Sequence, residues 1–102
     1  MKRKKKFTIT SKVWLWPGDM AAWHFAGIDK KLASEITELY GKNRRGFGSL
    51  PVMVKLGKTS WKTSIFPDSR SGTYLLPLKV KVRKAEDIYE DDEVTFTIDI
   101  LI

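Results

Sequence analysis

A chain of 102 residues and 11.7 kDa, 42% apolar and 12% aromatic, has the size of one domain and the apolar content to bury a core, which excludes both a two-domain arrangement and wholesale disorder. It has no cysteine and one histidine, so disulfide staples, thiolate zinc sites, cysteine nucleophiles and histidine-cluster metal sites all drop out. The formal charge of +7 is concentrated: Lys2, Arg3, Lys4, Lys5 and Lys6 open the chain, and without them 14 cations face 12 anions.

The expected organisation is therefore a flexible basic tail over residues 1–6 and a single domain over 7–102. A tail of this kind suits phosphate backbones or other anions, or serves only to solubilise. No apolar run reaches the roughly 18 residues of a membrane span, and the stretch after the tail is half hydroxyl residues, unlike a signal-peptide apolar region. A cytoplasmic protein with no membrane partner is expected.

From Phe7 to Trp16 apolar residues alternate, Phe7, Ile9, Val13 and Leu15 on one side and Trp14 and Trp16 on the other, as in a strand. Pro17-Gly18-Asp19 reads as a turn, and the apolar, aromatic stretch Ala21 to Ile28 as its antiparallel partner. Asp29 is a candidate N-cap for a helix carrying Leu32, Ile36, Leu39 and Tyr40 on one stripe, with Gly41 as a C′ stop. Lys42 to Gly48 reads as a basic, glycine-bearing loop. Val52, Val54 and Leu56 alternate through a third strand, Gly57-Lys58 turns, and Trp61 to Phe66 forms a fourth strand ending at Pro67. Thr73 to Leu76 is a fifth. Leu78 to Ala85 fits a short helix with Pro77 at its first turn, and Val94 to Ile102 is a last strand with one apolar face. Strand-helix-strand thus occurs twice, over Ala21–Leu56 and Thr73–Ile102. A mainly β, closed or pseudo-closed barrel of six or seven strands, with two short helices over its openings, buries every one of these faces.

Three ordered motifs carry a resemblance. They are Arg44-Arg45-Gly46-Phe47-Gly48-Ser49-Leu50-Pro51-Val52, Trp61-Lys62-Thr63-Ser64-Ile65-Phe66-Pro67, and Tyr74-Leu75-Leu76-Pro77-Leu78 leading to Arg83-Lys84-Ala85. With them the chain resembles the prokaryotic domain of unknown function numbered nineteen-oh-five. That resemblance implies a double-split β-barrel, related to swapped-hairpin transition-state regulators and to small antitoxins that bind DNA as dimers, with one chain supplying both halves. It implies no activity. Asp29 stands where the family tends to have proline, and Asp91-Asp92 replaces a glycine-aspartate turn; Asp tolerates a left-handed backbone well enough to keep that turn.

No catalytic set emerges, and no cofactor is expected. Gly57-Lys58-Thr59-Ser60 has the ending of a phosphate loop, but Val52 occupies the leading glycine position and a strand follows where a helix is needed. Gly46 and Gly48 read as turn glycines, and His24 as a structural or surface histidine without a placed nucleophile or acid. Glu86, Asp87, Glu90, Asp91, Asp92 and Glu93 are half of all the acids, yet lack the spacing of a calcium loop. For Trp14 and Trp16 packing beneath the helices is the favoured reading, because tryptophan is highly buried on average.

What remains is a non-enzymatic binding module. Its candidate anion or nucleic-acid contacts are Lys2, Arg3, Lys4, Lys5, Lys6, Arg44, Arg45 and Lys62. The alternative is a small-molecule or peptide pocket between the barrel halves, lined by Arg45, Phe47, Trp61, Thr63 and Ser64. A third reading is a protein-protein adaptor, either monomeric or a homodimer through a strand edge.

Overall fold

The computed structural model describes residues 6–16, 23–43 and 48–101. In chain order the elements are β1 (Lys6–Trp16), β2 (Trp23–Ile28), α1 (Lys30–Tyr40), β3 (Leu50–Leu56), β4 (Thr59–Asp68), β5 (Thr73–Pro77), α2 (Val80–Glu86) and β6 (Glu93–Ile100). The six strands close into an antiparallel barrel in the order β1-β2-β5-β4-β3-β6, with β6 paired back to β1. The mainly β closed barrel with two short helices is the architecture expected from the sequence.

Two strands divide their length between their two neighbours. Lys6 to Lys12 of β1 pairs with β6 and Val13 to Trp16 with β2. Likewise Thr59 to Ile65 of β4 pairs with β3, and Phe66 to Asp68 with β5. The chain therefore repeats a unit of long split strand, short strand, helix and strand. β1-β2-α1-β3 corresponds to β4-β5-α2-β6, and the like pairs β2 with β5 and β3 with β6 join the halves. The repeat is longer than strand-helix-strand because the two long strands belong to it.

Period-two alternation drives the packing. Phe7, Ile9 and Val13 of β1, Ala26 and Ile28 of β2, Val52 and Val54 of β3, Ile65 of β4, Leu76 of β5 and Phe96, Ile98 and Ile100 of β6 all point into the barrel and are buried. Each large side chain so placed contributes about 1.5–3 kcal/mol relative to its exposed state.

The helices differ from their sequence reading in detail. Asp29 caps α1 as expected, its Oδ1 accepting the Leu32 N–H at 2.9 Å. Ala33 and Ile36 form the buried stripe with Leu32 and Tyr40 packed beside it, whereas Leu39 is 51% exposed. The core lies nearer the Ala33 side, and a hydrogen bond of 3.0 Å between the Thr37 and Tyr74 hydroxyls ties α1 to β5. Gly41 is right-handed, with φ −57° and ψ −32°, and the chain runs on through a 3₁₀ turn at Gly41–Asn43 instead of stopping in a left-handed cap. Pro77 ends β5, and α2 starts later, after Lys79. β4 continues through Pro67, whose partner across the ladder is Tyr74.

The acids near the end of the chain have structural work. Asp87 closes α2 in the left-handed region at φ 55°, and Asp91 takes φ 71°, the conformation in which aspartate was expected to replace glycine. The Asp92 carboxylate accepts the Tyr89 N–H at 2.8 Å, while Asp91 N–H and Asp92 C=O bond the backbone of Val13. Glu86 reaches to the β3-β4 turn, where its Oε2 accepts the Thr59 hydroxyl at 2.5 Å and the Lys58 N–H at 3.3 Å. That turn is the Gly57-Lys58-Thr59-Ser60 segment, and the anion it holds is the protein's own carboxylate. Among the described residues no group of acids or histidine could hold a metal ion.

Gly57 has φ 61°, and a Cβ there would run into the Glu86 carboxylate. Gly57→Ala is expected to cost about 1–2 kcal/mol, from the left-handed backbone and the displaced carboxylate together. Urea unfolding reads it as a lower midpoint, and an unchanged midpoint would show that the turn tolerates a side chain.

Candidate groove on the outer barrel wall

The outward positions of the barrel fall into two unlike faces. Across β1, β6 and β3 they carry Thr8, Thr10, Thr95 and Thr97 with Lys6 and Lys55, an ordinary solvated surface. Across the end of β1, β2, β5 and β4 they carry rings. Trp16 lies opposite Trp23, Trp14 opposite Phe25, Phe25 opposite Pro77, and Leu75 opposite Phe66.

Trp14 and Trp16 therefore stack on the outer wall and not beneath the helices: Trp14 lies 5.3 Å from Phe25 and 6.0 Å from Trp16, centroid to centroid, in tilted arrangements. The pleat decides this, since Trp14 and Trp16 alternate with Val13 and Leu15.

Where β4 leaves β5 to pair with β3, a groove of about 910 Å³ opens. Trp16, Trp23, Phe25, Phe66, Leu75 and Pro77 line its apolar walls, and Leu78 lies beside them. Lys62, Thr63, Ser64, Asp68 and Lys79 supply its polar groups. Three of the rings remain open to solvent, Trp23 at 58%, Phe66 at 40% and Trp16 at 38% exposed. Gly27, outward on β2 and opposite Leu75, leaves open space where a Cβ would stand.

Asp68 organises one end of the groove. Its carboxylate accepts the Ser71 hydroxyl at 2.9 Å and the Arg70 N–H at 3.2 Å, and it lies 3.6 Å from the Arg70 Nε. Desolvation pushes its pKa upward, but the hydrogen bonds from Ser71 and Arg70 and the Arg70 charge outweigh that and hold it below the ordinary value of 3.8. So tethered, the Arg70 guanidinium sits 4.3 Å from the centroid of the Trp16 ring, linking the β4-β5 hairpin to the end of β1 by a cation-π contact.

Of the residues expected from the sequence, Lys62, Thr63 and Ser64 come together in this groove. Trp61, one position away on the other side of β4, packs against the core and is not among the lining residues. Lys6 lies at the start of β1. Lys2, Arg3, Lys4, Lys5, Arg44, Arg45 and Phe47 lie outside the described residues. His24 lines a second depression of about 620 Å³ with Arg83, Lys84, Asp87, Tyr89 and Glu90, and its Nδ1 is buried with no hydrogen-bond partner among the described residues. Tyr89 has its pKa raised there by its hydrogen bond to Asp87 and by that carboxylate's charge. Sequence reasoning did not assign Trp23, Phe25, Phe66, Lys79 and Arg70 to a site. The available signal was parity, because Trp23 and Phe25 alternate with Ala26 and Ile28, and an aromatic residue opposite a buried face has no core to enter.

Because the folded pKa of Asp68 is depressed, its contribution to stability is fully present above the ordinary carboxyl range and is lost as pH falls below about 3.8 toward the folded value. Tryptophan emission is expected to change in that acid window as Arg70 is released from Trp16. Asp68→Asn should remove that component at every pH, and an identical acid titration in the variant would show that another group is responsible.

No curated protein matches the chain. Among the described residues, no helix is long and apolar enough to cross a membrane. Residues 10–98 match the family model described as Domain of unknown function (DUF1905), a span that runs from within β1 to within β6 and takes in all of β4, and the chain belongs to that family.

Proposed function

We propose that the barrel is a non-enzymatic binding module whose outer groove takes a ligand combining a flat apolar body with negative charge. The observation that carries this is the contrast between the two outer faces. The same barrel covers the first part of β1, β6 and β3 mostly with threonine and charged residues, yet keeps Trp16, Trp23 and Phe66 exposed across the end of β1, β2 and β4. Exposed rings gathered on one concave surface are the mark of a contact site, since single scattered apolar residues are the ordinary case. Lys62 and Lys79 border the rings, while the one acid among the lining residues, Asp68, is already engaged by Arg70 and Ser71. The polar balance of the groove therefore favours an anion. The absence of cysteine supports work in a reducing compartment such as the cytoplasm.

The test is a fluorescence titration with an aromatic sulfonate such as anilinonaphthalene sulfonate. Trp23→Ala leaves the core untouched, because that ring is outward and exposed, and is expected to weaken binding about fivefold or more, as loss of one stacking ring does. Lys62→Glu should weaken it as well, more so at low salt. Unchanged affinity in both variants would remove the groove as the site.

A further inference from the structure

Resting on that groove reading, we infer that the occupant is an extended peptide segment that joins the free edge of β4 as an added strand, with an aromatic residue opposite Ser64 and, two residues later, an acid opposite Lys62.

Two prolines leave that edge open. Pro51 faces Ser64 across the β3-β4 ladder; it has no N–H, and its C=O accepts the Leu101 N–H at 2.8 Å on the β6 side. Pro51 and Ser64 are therefore one of the pairs of an antiparallel ladder that exchange no hydrogen bonds, and the N–H and C=O of Ser64 point away from β3. Lys62, two residues earlier, shares that direction. On the other side, β4 meets β5 only from Phe66, opposite Leu75, to Asp68. Continued by two residues, the same register sets Ser64 against Pro77, which again has no N–H to give, and the ladder stops. Among the described residues no other hydrogen bond reaches the backbone of Lys62 or Ser64. Two donors and two acceptors thus line the groove beside the rings, the groups to which an extended chain adds as a strand.

The walls select a single strand. Pro77, Leu78 and Lys79 stand across the groove from Lys62 and Ser64, so the edge is recessed. The same edge of a second barrel, recessed in its own groove, does not reach it. A small planar anion covers the rings but leaves these backbone groups without partners, and a sugar-phosphate chain has no alternating N–H and C=O to pair with them.

Register then assigns the side chains. Lys62 and Ser64 are outward positions of β4, and residues directly opposite them on an added strand point outward too. The one opposite Ser64 comes to lie by Phe66 and by Pro77 with its neighbour Phe25, where an aromatic ring is matched. The one opposite Lys62 lies between that ammonium and Lys79, which the continued register sets against each other, and there an acid is matched. An antiparallel partner, the more stable arrangement per residue, runs from Ser64 toward Lys62, so the ring precedes the acid.

Fluorescence anisotropy tests this with the full-length chain and a labelled, end-blocked peptide of about eight residues. The peptide is built of threonine and valine, with one phenylalanine and, two positions later, one glutamate. It is expected to bind and to displace the aromatic sulfonate. Methylating the amide nitrogen of the phenylalanine or of the glutamate should weaken binding about tenfold or more, since each faces β4; methylating the residue between them, whose N–H points away, should change it about twofold or less. Amide hydrogen exchange at Lys62 and Ser64 should slow in the complex, while Thr63, already paired with Val52, changes little. Lysine in place of the glutamate should weaken binding about threefold, and Lys62→Glu should remove that preference.

Equal losses from methylation at every position, or none at any, overturn strand addition. If the aromatic sulfonate binds in a Trp23-dependent way but no peptide does, the inference fails and the groove reading survives, whereas loss of both signals overturns both. A single-stranded oligonucleotide that displaces the sulfonate where the peptide does not assigns the groove to nucleic acid. A dimer whose formation by itself protects the Lys62 and Ser64 amides assigns the edge to a second copy of the chain, and either result ends the inference.

Discussion

Pairing between β1 and β6 is the constraint on which the rest of the structure depends. Seven residues of β1, Lys6 to Lys12, lie against the far end of the chain, and the remaining four turn to β2. Without that ladder the sheet would end in two open edges, each with a row of unpaired backbone groups. With it the inward positions of all six strands face a common interior, which is why residues as distant in sequence as Phe7 and Ile98 stand opposite one another and are buried. The same change of partner occurs in β4, so closure is reached by one device used twice.

Closure has a consequence for the outside. A barrel wall has only two sides, and every residue that is not directed inward is presented to solvent or to a partner. Where the outward residues are threonine and lysine, this is an ordinary surface. Where they are Trp16, Trp23, Phe25 and Phe66, the same geometry holds rings in fixed positions on a stiff sheet, with Arg70 and Lys62 beside them. The groove lies where β4 leaves β5, so the split that allows closure also creates the concavity.

The second half of the chain repeats the first in topology while its acids are put to a different use. Glu86 satisfies the β3-β4 turn, and Asp87, Asp91 and Asp92 shape the path from α2 to β6. An acidic block that reads from sequence as a solvated counterweight to nearby cations is thus largely consumed by backbone donors and left-handed positions. The Gly-Lys-Thr-Ser segment is explained in the same way: its backbone and hydroxyl donors hold an anion, and that anion is Glu86.

Alternation, turn residues and the Asp29 cap were legible in the residues themselves, because pleat and capping are local and depend on neighbours a few positions away. From them come the strands, both helices and the barrel class; that Trp14 lies opposite the Phe7 and Ile9 side was also legible, but not that its side is the outer wall and not a layer beneath the helices. Local signals could not place Leu39 outside the buried stripe of α1 or carry β4 through Pro67, since both depend on what packs or pairs from elsewhere in the chain. The site was beyond them for the same reason. Lys62, Thr63 and Ser64 are adjacent in sequence, but of the aromatic rings beside them only Phe66 is on the same strand; Trp16, Trp23 and Phe25 come from β1 and β2. By itself the sequence determined which side of each strand is apolar and where the chain turns; only tertiary structure decided which outward faces are neighbours, because strand order and register are set by long-range closure.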